Sequence, residues 1–216
     1  MERFQTHRGV VALLDRANVD TDQIIPKQFL KSIKRTGFEE GLFFDWRHLP
    51  DGALNPDFEL NQERFAGASI LVVRNNFGCG SSREHAVWAV RQGGYRVVVA
   101  PRIERDGMVV PGFADIFANN AVKNGLLTIQ LDEPVVDEIF ELVARFPRLE
   151  ATADLDEQRL ILHLDEEVAF HFEIDSTVKD HLIRGLDDIS LTLARERAIA
   201  DYERAHPDAI PISPDR

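Results

Sequence analysis

The chain has 216 residues, of which 44% are hydrophobic and 29% charged, and this composition excludes a disordered or fibrous protein. Its formal net charge of −12 argues against nucleic acid or an anionic membrane surface as the main partner. The single cysteine, Cys79, excludes a disulfide framework and any metal centre built on several thiolates of this chain. With no apolar run long enough to span a bilayer and no signal peptide at the N-terminus, we expect a cytoplasmic protein.

The N-terminal third is predicted to contain one short strand followed by loops. Residues 10–14 form a strand-like apolar run, and a polar loop follows at 15–23. The stretch 27–46 mixes basic and aromatic residues with glycine breaks, and residues 50–56 carry the proline, glycine, Asp and Asn signals of an irregular loop.

The centre of the sequence predicts a βαβ unit at about 70–100. A continuous apolar run at 70–73 is followed by a turn with two glycines at 75–80, a helical pattern at 81–92 and a second apolar strand at 95–100. This order of elements requires a parallel pair of strands, which helices normally cover. We therefore predict an α/β protein.

The C-terminal half continues this alternation. The predicted elements are a helix at 111–122, a strand at 126–131, an amphipathic helix at 133–146, a hairpin at 159–164 and 168–174, and a charged helix at 187–204. Residues 1–205 are predicted to form a single domain. The proline-containing segment 206–216 is predicted to be a flexible tail.

The strongest candidate for a site is the segment NFGCGSSREH at 76–85, which lies between a buried strand and a helix start. Backbone N–H groups at a helix start have no intrahelical partner, and the helix dipole adds positive potential there. Glycines let the backbone of Gly78, Cys79 and Gly80 approach a ligand closely. This layout predicts a binding site for a carboxylate or a phosphate.

Side chains directly after this turn strengthen the prediction. Ser81 and Ser82 supply hydroxyls and Arg83 supplies a guanidinium, which suits an anion. Ser81 with Glu84 also fits a capping box, which would need no function. The glycines together with Arg83 favour a site over a simple cap.

Two further segments carry alternatives that the residues alone leave open. NVDTDQ at 18–23 places two carboxylates and a hydroxyl in a loop, where they would bind a cation or orient a catalytic group. The alternative is a polar turn whose side chains bond their own backbone. KQFLKSIKR at 27–35 concentrates four cations among apolar residues. It would recognise a partly apolar, partly anionic substrate, or it is a surface helix with a buried inner face.

Four stretches together carry a resemblance to a known family. They are NVDTDQIIPKQFL at 18–30, RTGF at 35–38, NFGCGSSREHA at 76–86 and FADIFANNAVKNGLL at 113–127. Their sequence, order and separation resemble the small subunits of 3-isopropylmalate dehydratases, which are similar to the swivelling C-terminal domain of aconitase. The resemblance covers most of the first 130 residues.

The resemblance implies a swivelling β/β/α domain and a separate large subunit that carries a [4Fe–4S] cluster on three cysteines. This chain itself would then bind no metal and no cofactor. The implied reaction removes and re-adds water on a malate-type dicarboxylate in leucine biosynthesis, and this chain would be inactive without the large subunit.

The resemblance also implies roles for individual side chains. Ser81 is implied to be the base that removes the proton beside a carboxylate, with its alkoxide stabilised by helix N–H groups and Arg83. Contacts that distinguish substrates are implied for the loop after residue 26. The implied substrate-binding side chains are Thr21, Asp22, Leu30, Ile33, Arg35, Ser82 and Arg83.

One segment departs from the family pattern and leaves the substrate open. In the family the strand ending near residue 101 leads almost directly into the segment matching 113–117, whereas here residues 102–112 intervene. Such an insertion would cap the site, contact the large subunit or have no role. The alternatives are a related hydro-lyase subunit acting on citramalate, dimethylmalate or homoaconitate, and a non-enzymatic dicarboxylate-binding module.

Overall fold

The strands of this protein form one mixed sheet, seen in a computed structural model that describes residues 1–31, 35–81, 83–186, 192–193 and 195–206. The strands are β1 (Thr6–Leu14), β2 (Ile70–Val73), β3 (Val97–Arg105), β4 (Met108–Val110), β5 (Leu127–Asp132), β6 (Glu150–Asp154), β7 (Arg159–Leu162) and β8 (Val168–His171). The helices are α1 (Thr21–Ile24), α2 (Phe44–Arg47), α3 (Glu84–Gln92), α4 (Asp115–Lys123), α5 (Glu133–Arg145), α6 (Ser176–Arg184) and α7 (Glu196–Ala205).

The sheet has a parallel half and an antiparallel half that meet in the long strand β1. The strand order is β4-β3-β2-β1-β6-β7-β8, and β5 also pairs with β3. The pairs β1–β2, β2–β3 and β3–β5 are parallel, whereas β1–β6, β6–β7, β7–β8 and β3–β4 are antiparallel. The first half of β1 pairs with β6, and its second half pairs with β2.

The predicted βαβ unit is confirmed as β2–α3–β3. All four residues of β2 are buried, as expected for a parallel strand covered on both faces. Helix α3 buries Ala86, Val87, Ala89 and Val90, while the predicted inner face of α5 is buried through Val136, Ile139, Phe140 and Val143. The predicted hairpin is also observed as β7 and β8.

Several element boundaries differ from the sequence prediction. Helix α3 begins at Glu84 rather than at residue 81, because Gly78 and Gly80 have positive φ and Arg83 is still extended. The predicted loop 15–23 contains the start of the short helix α1. Strand β6 was not predicted because its inward residues are the small Ala151 and Ala153, which carry little strand signal.

The C-terminal region contains a helix that the sequence analysis missed. Helix α6 has clear end signals, since Asp175 accepts hydrogen bonds from the N–H groups of Thr177 and Val178, and Gly185 ends the helix with φ +66°. Part of the predicted helix 187–204 lies outside the described residues, and α7 covers its second half. Within the described ranges, no helix combines the length and the apolar character needed to cross a membrane.

Candidate active site

Two loops lie side by side at one edge of the parallel half of the sheet. One runs from β1 to α1 and the other from β2 to α3, and they leave the same edge because β1 and β2 are parallel neighbours. The N–H of Asn18 donates to the carbonyl of Asn75 at 2.9 Å, and the N–H of Thr21 donates to the carbonyl of Cys79 at 2.9 Å. These bonds join the two loops through backbone groups.

A pair of asparagines joins the same two loops through their side chains. Asn76 Nδ2 donates to Asn18 Oδ1 at 2.8 Å, and the two residues have φ of +58° and +55°. Asparagine tolerates the left-handed region better than most residues. The sequence analysis did not assign a role to this pair, and this tolerance is the only local signal that would have pointed to it.

A third segment, residues 112–114, is hydrogen-bonded to the loop between β2 and α3. The N–H of Phe77 donates to the carbonyl of Gly112 at 2.9 Å, and the N–H of Ala114 donates to the carbonyl of Phe77 at 3.0 Å. The ring of Phe77 is buried and meets that of Phe117 edge-on, with the centroids 5.2 Å apart. The β2–α3 loop is therefore held between the β1–α1 loop and the start of α4.

Glycine is required at residue 78 by both conformation and space. Gly78 has φ +77°, and a Cβ there would lie 2.3 Å from the Phe117 ring. The N–H groups of Gly78 and Cys79 both donate to the carbonyl of Val19, at 2.8 and 3.2 Å. These two N–H groups are thus engaged within the chain and are not free for an anion, which leaves Gly80 as the remaining member of the predicted backbone site.

The start of α3 is not capped in the way that the sequence allowed. Its N-cap residue is Arg83, which makes no side-chain cap hydrogen bond, so the capping box of Ser81 with Glu84 is wrong. Glu84 Oε1 instead accepts a hydrogen bond from Asn124 Nδ2 at 3.0 Å. Ser81 is exposed to solvent. Ser82 lies outside the described residues.

The start of the neighbouring helix α1 is fully capped. Asp20 Oδ1 accepts from the N–H of Gln23 at 2.8 Å, and Gln23 Oε1 accepts from the N–H of Asp20 at 2.9 Å. The interpretation of 18–23 as a self-satisfied turn is therefore correct for Asp20 and Gln23. It does not hold for Thr21, whose side chain is buried and whose Oγ1 has no hydrogen-bond partner in the structure.

Three charged side chains connect the two loops. The Arg83 guanidinium forms an ion pair with Asp22, and Lys27 Nζ lies 3.6 Å from Asp22 Oδ2. The Arg83 side chain is only 18% exposed, whereas that of Lys27 is 75% exposed. The more buried position of Arg83 makes its charge the less screened of the two cations.

The thiol of Cys79 is unsuited to act as a nucleophile. Burial raises its pKa above the ordinary value, and the nearby charge of Asp20 raises it further. The reactive form of cysteine is the thiolate, so this thiol is unreactive at neutral pH. Within the described part of the chain, no group of three or more His, Cys, Asp and Glu side chains is arranged to hold a metal ion.

The basic segment at 27–35 is partly described. Lys27–Lys31 form a 3-10 helix in which Phe29 and Leu30 pack partly against the core, so the interpretation as a surface helix with a buried inner face fits this half. Ile33 lies outside the described residues. Arg35 is exposed, with its guanidinium 5.3 Å from the Trp88 ring centroid and its carbonyl accepting from Gln92 Nε2 at 2.8 Å, so it lies against α3.

Comparisons with known proteins agree with this architecture. Residues 1–134 match the aconitase C-terminal domain family. The solved 3-isopropylmalate dehydratase leuD of Methanocaldococcus jannaschii has the same fold, with a TM-score of 0.63 and 22% identity over 91% of this chain and 99% of that one.

Three curated relatives, all called 3-isopropylmalate dehydratase small subunit, are similar over nearly their whole length. The protein of Desulforapulum autotrophicum is 55% identical over 96% of this chain and 97% of its own. That of Geobacillus kaustophilus is 52% identical over 95% and 98%, and that of Rhodopirellula baltica is 51% identical over 95% and 99%. The chain belongs to the 3-isopropylmalate dehydratase small-subunit family, whose N-terminal part is an aconitase C-terminal domain.

Proposed function

We propose that this chain, with a large subunit, interconverts 2-isopropylmalate and 3-isopropylmalate by dehydration and rehydration in leucine biosynthesis. The observation that carries the proposal is the placement of an exposed serine, Ser81, beside the Arg83–Asp22 ion pair at the edge of the sheet. An exposed hydroxyl two residues from a largely buried guanidinium suits a substrate that presents a carboxylate and an adjacent acidic C–H bond.

Ser81 is the proposed base. Serine is a weak base at its ordinary pKa, so its alkoxide must be stabilised by positive potential nearby. Two sources lie within a few residues along the chain: the guanidinium of Arg83 and the N-terminus of α3. The hydroxyl is not used as a helix cap, so removing it would not disturb the start of α3.

Arg83 and Ser82 are the proposed ligands of a substrate carboxylate, with Asp22 and Thr21 at the edge of the site. Asp22 pairs with one nitrogen of the Arg83 guanidinium. This contact orients the guanidinium and leaves the other N–H groups of Arg83 for the substrate. The buried, unpartnered Oγ1 of Thr21 is a polar group that a ligand or a water molecule would satisfy.

The loop after residue 26 is the proposed contact for the substituent of the substrate. An isopropyl group requires apolar neighbours, and Leu30 and Ile33 supply them in this proposal. The guanidinium of Arg35 lies over the Trp88 ring of α3. Leu30 is only partly buried in this chain, so part of its surface is available for such a contact.

The cysteine content of this chain does not fit a [4Fe–4S] cluster. Such a cluster is held by several thiolates, whereas Cys79 is the only cysteine and its pKa is raised by burial. We therefore place the cluster on the large subunit, and none of the steps assigned to this chain passes through it. We also propose a cytoplasmic location and a single domain at 1–205; the predicted tail lies, beyond residue 206, outside the described residues.

The test is an anaerobic reconstitution of this chain with its cognate large subunit, followed by the absorbance of the alkene intermediate with 3-isopropylmalate as substrate. We expect activity only when both chains are present. A panel of isopropyl-, methyl- and dimethyl-malate then tests the substrate, and we expect a clear preference for the isopropyl compound. Equal rates on all three, or none on isopropylmalate in a stable complex, would contradict the proposal.

A further inference from the structure

The inserted segment 102–112 folds as a β-hairpin. Strand β3 continues beyond its pairing with β5, and β4 returns beside it with Ile103 opposite Val110 and Arg105 opposite Met108. Asp106 and Gly107 connect the two strands with φ of +54° and +74°. Two left-handed residues in a two-residue loop are typical of the type I′ turn that favours tight hairpins. The segment is therefore an ordered projection.

The returning strand of this hairpin exposes three consecutive apolar side chains. Met108 is 70% exposed, Val109 48% and Val110 38%, and Ile116 in the first turn of α4 is 53% exposed. Neighbouring side chains of a strand point to opposite faces, so neither face of β4 is covered. Because β4 ends the strand order, no further strand in the described part of the chain pairs with its outer edge. Single exposed apolar residues are ordinary, but a run of this kind on an edge strand indicates a contact surface.

The hairpin projects from the edge of the sheet that carries the candidate active site. Strand β3 is parallel to β2, so its extension leaves the sheet at the same edge as the loop containing Ser81. The chain after β4 is bonded directly to that loop, since the N–H of Asn76 donates to the carbonyl of Pro111 at 2.9 Å and the N–H of Phe77 to that of Gly112 at 2.9 Å.

We propose that this docking hairpin, residues 103–110, binds an apolar surface of the large subunit beside the active site. The inference rests on the proposed function, in which the large subunit completes the site and must therefore cover the edge that carries Ser81. A partner chain bound there also reaches the hairpin, because Pro111 and Gly112, directly after the hairpin, accept backbone hydrogen bonds from the loop that contains Ser81.

Charge and rigidity both favour the large subunit as the occupant. A second copy of this chain would bring together two molecules of net charge −12, which opposes self-association. The hairpin is held in place by an ion pair between Arg105 and Glu133 at 2.8 Å. An ordered contact surface loses less conformational entropy on binding than a flexible loop would.

The test measures the affinity of the full chain for its cognate large subunit, without substrate, for Met108→Lys and Met108→Glu. Burial of an apolar side chain predicts that both charges weaken binding by about tenfold or more. The matched control is Leu54→Lys, since Leu54 is 63% exposed and lies in the loop after α2. We expect it to bind like the wild type, and all variants to unfold at the wild-type temperature.

The outcomes separate this inference from the proposed function. If both Met108 variants bind as tightly as the wild type, or if only one sign of charge weakens binding, apolar docking by the hairpin is wrong. If they instead reduce self-association of the chain alone, the occupant is a second copy. A wild-type complex that forms but does not convert isopropylmalate contradicts the proposed function while leaving the binding result of the hairpin intact.

Discussion

The N-termini of α1 and α3 lie next to each other at the candidate site, and only the N-terminus of α1 has a capping box. The start of α1 is capped reciprocally by Asp20 and Gln23. The start of α3 has Arg83 at its N-cap, and the Arg83 side chain makes no cap hydrogen bond. Both sequences contain the capping-box pattern, Asp-x-x-Gln at 20–23 and Ser-x-x-Glu at 81–84, yet the pattern predicts the structure correctly only at the first.

The difference shows that the packing of a functional site can override a local capping pattern in the sequence. At α1 the side chains of Asp20 and Gln23 accept from each other's backbone N–H groups, and the unpartnered polar atom is the Oγ1 of Thr21. At α3 two glycines keep the chain out of the helix until Glu84, and Asn124 engages the carboxylate of Glu84 that a box would need. Ser81 is left exposed beside a guanidinium, as expected where a functional site departs from the locally best arrangement.

The largest expected effect comes from removing the hydroxyl of Ser81, just before α3. We expect Ser81→Ala to reduce turnover of the reconstituted complex about 1000-fold, the order of magnitude of a lost general base. The free energy of unfolding should change by less than about 0.5 kcal/mol, because Ser81 is exposed and caps nothing. Steady-state kinetics and denaturant unfolding of the same preparation measure the two quantities.

Ser176→Ala is the control for this variant, since it removes an exposed serine hydroxyl at the first residue of α6. It should leave both turnover and unfolding at wild-type values. Normal turnover in Ser81→Ala would show that Ser81 is not the base. A large loss of stability would instead show that Ser81 caps α3 in solution. The two helix starts would then not differ in the way that the structure shows.

The next effect tests the glycine that keeps the two loops together. We expect Gly78→Ala to lower the free energy of unfolding by about 3 kcal/mol, since an alanine there is strained and its Cβ would lie 2.3 Å from the Phe117 ring. Gly52→Ala is the matched control, because Gly52 has φ +86° with no atom within 4 Å of its Cβ position. It should cost only about 1 kcal/mol, the backbone part of the effect.

Equal losses in the two glycine variants would mean that the Phe117 contact can relax and that the loop is less confined than the structure shows. The measurement is urea unfolding followed by circular dichroism, with the slope against denaturant compared among the three proteins.

The sequence predicts most of the parallel half of the fold because its signals are local. The apolar runs at 70–73 and 95–100, the glycines between them and the periodic face of α5 each specify one element, and all of them are observed. Strand β6 depends on pairing with β1 and β7 across distant parts of the chain, and its alanines give no strand signal. Only the assembled sheet specifies it.

The candidate site is predictable to the level of segments, and less so to the level of contacts. The motif at 76–86 identifies the loop that carries Ser81. Sequence alone does not reveal that the N–H groups of Gly78 and Cys79 are used by Val19, or that Asn124, forty residues away, binds Glu84. These contacts follow from the packing of neighbouring loops, which residue spacing does not encode.

A smaller effect tests the closed start of α1. We expect Asp20→Ala to lower the free energy of unfolding by about 1 kcal/mol through loss of the cap, and Asp20→Asn to restore most of it, because asparagine is an equally good N-cap residue. Turnover should fall far less than in Ser81→Ala, since Asp20 faces its own backbone. A stability loss in Asp20→Asn equal to that in Asp20→Ala would show that the charge, and not the cap, is what matters.

The smallest effect concerns Tyr95, a buried residue just after the C-terminal end of α3. Tyr95 follows the glycines that end this helix, and burial raises the pKa of its hydroxyl from 10.0 to about 12. The unfolded chain therefore loses this proton first as the pH rises, so the stability that Tyr95 contributes is complete below pH 10 and is lost between pH 10 and pH 12. At pH 10.5 the loss is about 0.8 kcal/mol.

We expect Tyr95→Phe to remove this part of the alkaline decline in the free energy of unfolding, measured against the wild type from pH 9 to pH 11. Tyr202→Phe is the matched control, because Tyr202 is the other tyrosine of the chain and is 57% exposed on α7. It should follow the wild-type curve, since this substitution removes a hydroxyl that the folded chain leaves exposed. If Tyr95→Phe also follows that curve, the hydroxyl of Tyr95 is hydrated in solution and is not buried as the structure shows.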